Sequence, residues 1–148
     1  MTENVARNGL EDTIRVYPDA LLDREATVPL RLTALSGNRS LFARADASAE
    51  AAELVHSVPL GGALDLCGAP ALALLKLDVE GAELEILEGA SDATLARVAR
   101  VVLEYHDFIR AGCCARVKQR LARAGFTRIE TGLDAVDGAI GILRAARA

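Results

Sequence analysis

The sequence predicts an α/β fold, and three observations carry that expectation. Leu72–Asp78 (Leu-Ala-Leu-Leu-Lys-Leu-Asp) is almost continuously apolar, as expected of a strand covered on both faces of a parallel sheet. Glu80–Glu88 then switches to helical spacing, with Leu84 and Leu87 on one face, and stops at Gly89. Strand and helix go on alternating through short connections to the end of the chain, which is the α/β pattern.

In chain order, Thr2–Asn8 followed by Gly9 reads as the last two turns of a helix with a glycine cap. Thr13–Tyr17 alternates and is rich in β-formers, so it predicts a strand ending at Pro18. Ala26–Thr33 predicts a second, half-exposed strand, with Pro29 favouring an edge position. Ser36–Ser40 is rich in turn formers. Asp46–Val55 reads as a short helix, His56–Leu60 as a short strand, and Gly61-Gly62 as its breaker.

Beyond the Leu72–Asp78 block, Ser91 or Asp92 can cap a short helix running through Leu95. Val101-Val102-Leu103 makes Arg100–His106 a second buried strand. Arg110–Ala124 places Cys114, Val117, Leu121 and Ala124 on one stripe opposite Arg116, Lys118, Arg120 and Arg123, an amphipathic helix closed by Gly125. Phe126–Thr131 and Ala139–Leu143 are the last strands, and the pair suits an antiparallel hairpin.

The 148 residues fit one domain, which we assign to 1–148. With 51% hydrophobic and 26% charged residues the chain reads as globular. Its core must be aliphatic, because aromatics make up only 3% and Trp is absent. Basic residues are nearly all Arg, the only lysines being Lys76 and Lys118. The net charge of -4 is spread along the chain without a basic block, so nucleic-acid binding gains no support. No apolar run is long enough to cross a bilayer, and the first residues resemble neither a signal nor a transit peptide. The expectation is a soluble cytoplasmic protein with no membrane partner. Cys67, Cys113 and Cys114 form neither a disulfide framework nor a zinc-ligand pattern, and small buried thiols are expected.

Ligands of open α/β sheets bind at the carboxyl ends of the strands. Two such ends carry chemistry here: Asp78-Val79-Glu80-Gly81-Ala82-Glu83 and Glu104-Tyr105-His106. Glu104 and His106, two residues apart, leave the strand on the same side. Carboxylates favour a cationic group, and an imidazole with its pKa near neutrality suits removal of a hydroxyl proton. Gly81 allows close backbone approach at the strand-to-helix turn. The same residues also admit a plain structural reading. Asp78, Glu80 and Glu83 at a helix start complement its dipole and cap free N–H groups, and His106 alone is more often structural or exposed than catalytic. Strand-end Asp residues occur in other doubly wound proteins, so the pattern does not choose the reaction.

The string Leu75-Lys76-Leu77-Asp78-Val79-Glu80-Gly81-Ala82-Glu83 closely resembles the Lys-Ile-Asp-Val-Glu-Gly-Ala-Glu signature of FkbM-type methyltransferases. Other features of that family follow in order: Asn4, Asn8-Gly9-Leu10, Ala20-Leu21 and Ser40-Leu41 upstream, then Leu87-x-Gly89-Ala90, Val101–His106 and Leu121-x-x-x-Gly125-Phe126. The resemblance implies a Rossmann-like class I methyltransferase fold. It also implies S-adenosyl-L-methionine as cofactor and a small-molecule acceptor, a sugar or secondary metabolite methylated on a hydroxyl. It places Asp19 and Ala20 near the adenine and Asp78 by the methyl-transfer site, as both cofactor-binding and catalytic residue; Glu80, and Glu104 and His106 on the acceptor side, are our further catalytic candidates. No metal is implied.

The family's first strand ends in a Gly-rich Val-Asp-Val-Gly-Ala-Asn-x-Gly loop, and its second in an acidic residue that binds the ribose. Neither motif stands ahead of Thr13 in this sequence. The expectation is therefore the C-terminal part of such a domain, a truncated chain with an incomplete fold whose first two strands are absent. The missing strands would lie between Thr13–Tyr17 and Leu72–Asp78, leaving the latter with a bare edge that invites association or a poorly soluble chain. The alternative is a non-catalytic remnant, or a half-domain that completes its sheet with a separate N-terminal partner. A receiver-like regulatory module would need an acidic pair at the end of a first strand and a late Lys, and has neither.

Overall fold

The computed structural model describes residues 1–32, 39–40, 52–132 and 139–148. Helix α1 (Thr2–Arg7) precedes strands β1 (Ala20–Leu22), β2 (Ala26–Leu32), β3 (Arg39–Ser40) and β4 (Ala52–Pro59), and then helix α2 (Leu60–Leu66). The second half runs β5 (Leu75–Leu77), α3 (Glu83–Gly89), α4 (Asp92–Ala96), β6 (Arg100–His106), α5 (Cys113–Arg123), β7 (Arg128–Thr131) and β8 (Ile140–Ala146). The architecture is mixed α/β.

The strands form two four-stranded sheets, ordered β1-β4-β2-β3 and β5-β6-β8-β7. In the first, β4 pairs parallel with β1 and antiparallel with β2. In the second, β5 and β6 are parallel, with Leu77 opposite Leu103. Strand β8 runs antiparallel to both β6 and β7, so the last two strands are the expected antiparallel pair. Leu77, Val101, Leu103 and Leu143 on one face of the second sheet are fully buried together with Leu84 and Leu87 of α3 and Val117 and Leu121 of α5. Leu22, Leu60 and Leu64 join the same core and tie the first sheet to it.

Three helices end on a glycine with positive φ: Gly9, Gly68 and Gly125. In each case the next amide donates back five residues, Leu10 to Val5, Ala69 to Leu64 and Phe126 to Leu121, a Schellman closure. Ser91 caps α4 as expected, accepting from the Thr94 amide at 3.0 Å.

Several sequence expectations give way. Thr13–Tyr17 is turn and irregular backbone, and the first strand forms three residues later at Ala20–Leu22, where it finds the β4 edge. The helix expected over Asp46–Val55 is displaced by β4, which claims residues from Ala52 onward; residues 46–51 lie outside the described residues. Ser36–Asn38 of the expected turn also lie outside them, and Arg39–Ser40 pairs with Arg31–Leu32. Strand β4 ends at Pro59 as the breaker implies, but Gly61-Gly62 lies in the first turn of α2 and not in a loop; a Cβ at Gly61 would sit 3.2 Å from Thr94 Oγ1. The Leu72–Asp78 strand is shorter, with Leu72 making an isolated bridge to Val98, and it is covered on one face only. Leu75 and Leu77 are buried while Leu74, Lys76 and Asp78 are exposed.

Candidate functional site: a buried histidine among three glutamates

The turn between β5 and α3 builds one wall of the site. Glu80 adopts φ +52 and Gly81 φ +109, a left-handed pair that reverses the chain sharply after Asp78 and Val79. Helix α3 then begins on Glu83, whose side chain is fully buried. Glu83 Oε1 accepts from the Gly81 amide at 3.1 Å, so the carboxylate folds back onto the turn that precedes its own helix. The opposite wall is the end of β6, which delivers Glu104 and His106 from alternate positions.

His106 is 2% exposed and stands at the meeting point. Its Nδ1 is 3.0 Å from Glu83 Oε1. Its Nε2 lies 3.5 Å from Glu104 Oε1 and 3.7 Å from Glu80 Oε2. The hydrogen bond to Glu83 raises the imidazole pKa above its ordinary value; burial opposes this, and the charges of Glu83, Glu80 and Glu104 reinforce it. The edge of His106 meets the Phe108 ring at a centroid distance of 5.7 Å. Beneath the cluster, Cys113 is buried, and burial beside Glu83 pushes its thiol up to about 11. Glu85, ion-paired to Arg110, is pushed up by desolvation. Glu83 Oε2 and Glu85 Oε2 are buried without a hydrogen-bond partner among the described residues.

The structure thus brings three of the sequence candidates together, with Glu104 and Glu80 at 3.5 and 3.7 Å from His106 Nε2. Asp78 stands apart, exposed and ion-paired to Lys76 Nζ at 2.7 Å. Asp19 and Ala20 lie at the first sheet. Ala20 pairs with Ser57, and Asp19 Oδ1 is 2.7 Å from His56 Nδ1, whose other nitrogen faces Glu25 at 3.5 Å. The bond to Asp19 raises the His56 pKa. His56 and Glu25 line a cleft of about 500 Å³ with Val58, Pro59, Gly62, Asp65 and Leu66. No three His, Cys, Asp or Glu side chains among the described residues converge as metal ligands, and no helix among them is long and apolar enough to cross a membrane.

Glu83 is the member of the cluster that sequence reasoning assigned no site role, because a Glu in a first helical turn is ordinary dipole complement. The available signal was its place five residues after Asp78 in the signature string, on the buried side of a helix whose Leu84 and Leu87 face the core.

Comparison with known proteins bears on residues 57–128, which match the model of the methyltransferase FkbM domain. The cluster lies wholly inside that match; Asp19 and Ala20 lie outside it. The chain is also similar to the AMB antimetabolite synthetase AmbE of Pseudomonas aeruginosa, with 42% identity over 62 residues. That similarity covers 40% of this chain and 3% of the synthetase, so the chain spans a small part of the relative it matches. No solved structure matches the chain. Residues 57–128 of the chain thus resemble an FkbM methyltransferase domain.

Proposed function

We propose that the chain acts in S-adenosyl-L-methionine-dependent O-methylation of a hydroxyl on a sugar or secondary metabolite, with His106 as the base that takes the hydroxyl proton. One observation carries the reading: a buried imidazole at the carboxyl end of a sheet strand, ringed by Glu80, Glu83 and Glu104. A parallel β5-β6 pair with α3 between them along the chain is compatible with a Rossmann-like class I domain. The similarity to an antimetabolite synthetase supports an acceptor of the secondary-metabolite kind. A cytoplasmic setting is part of the same proposal.

The donor set fits the cofactor by charge. Glu80, Glu104 and Asp78 put carboxylates at the ends of β5 and β6, and a sulfonium cation gains from such neighbours. Asp19 with the nearby cleft at His56 would take the adenine side. The bound cofactor supplies an electrophilic methyl group. The chain's own part is to hold the acceptor hydroxyl at His106 Nε2, receive its proton there, and stabilise the resulting imidazolium by the three carboxylates.

The test is methyl transfer from radiolabelled S-adenosyl-L-methionine to a panel of hydroxylated sugars and aglycones, comparing the parent with His106→Gln and Asp78→Ala. Loss of transfer in His106→Gln, with cofactor affinity kept, supports the base; full activity refutes it. Asp78→Ala is expected to abolish transfer with the fold intact, and retained activity would remove Asp78 from the site.

A second reading is a half-domain completed by a partner. The unpaired side of β5, which has β6 on one flank and no described strand on the other, favours it. It predicts that calorimetry detects S-adenosyl-L-methionine binding only after a polypeptide carrying the Gly-rich loop is added.

A further inference from the structure

We infer that Glu83 is the positioning residue of the site, holding the proton on His106 Nδ1 so that Nε2 is left with its lone pair facing Glu80, Glu104 and the acceptor. This deepens the reading of His106 as base and rests on it. The geometry is directional. Glu83 Oε1 is 3.0 Å from Nδ1, while the two carboxylates near Nε2 stand farther off at 3.5 and 3.7 Å. Glu83 itself is immobilised: it is fully buried, starts α3, and its Oε1 also accepts the Gly81 amide at 3.1 Å. A neutral imidazole carries one N–H, and the nitrogen with the better acceptor keeps it.

The same contact serves the proton's arrival. When Nε2 takes the hydroxyl proton, the ring becomes an imidazolium with both nitrogens protonated. The Glu83 carboxylate then faces a full positive charge across a desolvated hydrogen bond, the arrangement in which such a bond is strongest. No electron transfer or further reactant is involved; the proton moves from the acceptor oxygen to Nε2 and the Nδ1 proton stays in place. Glu83 Oε2, buried and without a described partner, marks the cost the fold bears to keep this carboxylate inside. A carboxylate serving only as complement to the α3 dipole would gain nothing from such burial.

The experiment is a long-range ¹H–¹⁵N spectrum of the imidazoles of the whole chain as a function of pH. The chain has 2 histidines, so His56→Gln leaves His106 as the one signal. The expected result at high pH is a protonated-type shift for Nδ1 and an unprotonated-type shift for Nε2. Glu83→Gln should lower the His106 titration midpoint by about one unit, since a unit corresponds to losing roughly 1.4 kcal/mol of charge interaction. It should also mix the two tautomers. The parent alone reports the tautomer, so the inference remains testable where Glu83→Gln fails to fold. A proton found on Nε2 in the parent, or a Glu83→Gln titration identical to the parent's, overturns the role of Glu83 and leaves the base reading standing. Full methyl transfer by His106→Gln overturns the base reading, and with it the catalytic meaning of an intact Glu83–His106 contact.

Discussion

At Glu80 the backbone takes φ +52, a conformation that costs an L-residue on the order of 1–2 kcal/mol and that glycine adopts freely. The strain aims its carboxylate to within 3.7 Å of His106 Nε2. Two substitutions separate backbone from side chain. Glu80→Ala removes the carboxylate and keeps the strain, whereas Glu80→Gly removes both. Glu80→Gly should therefore unfold at higher denaturant than Glu80→Ala, by about 1 kcal/mol after allowing for glycine's greater unfolded-state entropy. Equal midpoints would mean that the turn relaxes once the carboxylate is gone. His106 makes a second prediction at this scale. Its native pKa is raised above 6.5, chiefly by Glu83, so the folded state holds its proton more tightly than the unfolded chain does. That stabilisation is fully present below pH 6.5 and is lost as pH rises through the native value. Urea titrations across this window should show stability falling with pH, and His106→Gln should flatten the part of the slope not owed to His56. A slope unchanged by His106→Gln would disprove the coupling.

The elements are fastened to one another by arginine forks. Arg120 on α5 donates through Nε to the Leu87 carbonyl at 3.0 Å and through Nη2 to the Ala90 carbonyl at 2.6 Å, satisfying orphan groups at the end of α3. Arg97 does the same for Ala69 and Pro70 after α2, and Arg147 for Leu95 in the last turn of α4 and Val98 beyond it, while stacking 4.4 Å over Phe126. A planar guanidinium spreads its donors over a rigid fork that spans two separated carbonyls, whereas a lysine concentrates three donors on one nitrogen; this gives physical content to a sequence whose cations are almost all Arg. Arg120→Ala should cost about 2 kcal/mol, and Arg120→Lys should recover less than half of it. Full recovery by Lys would reduce the contact to simple charge. These forks were not legible beforehand: Arg116, Lys118, Arg120 and Arg123 all read as the solvated face of an amphipathic helix, and only the packed structure distinguishes Arg120 from Arg123. The strands and helices from Leu75 onward were legible because each buries an aliphatic face whose period declares it. Thr13–Tyr17 departs from its strand-like pattern because alternation and β-propensity make a strand only when a partner edge is present. Likewise His106 and Glu104 were visible as strand-end residues. The burial that turns Glu83 into the partner of His106 depends on a fold-back through Gly81, which residue spacing does not encode.

At the scale of the molecule, the two sheets share one aliphatic core but present separate edges. Strand β5 is the consequential one. Its Leu75 and Leu77 are buried, yet among the described residues only β6 pairs with it. Its other side has no strand partner among the described residues, and Leu74 beside it is 49% exposed. Lys76, paired with Asp78, is the one cation within β5 itself, and one charge is weak protection against strand addition. The same edge that favours completion by a partner strand therefore favours self-association when no partner is present. Sedimentation of the purified chain should give a mass above the 15.6 kDa of one copy, rising with concentration. Leu74→Lys, which adds a second cation next to Lys76 at an exposed position, should shift the distribution towards the monomer without lowering the melting temperature. A monodisperse monomer at every concentration, unfolding in one cooperative thermal transition, would show that the β5 edge is already protected and would remove the ground for a sheet completed from outside.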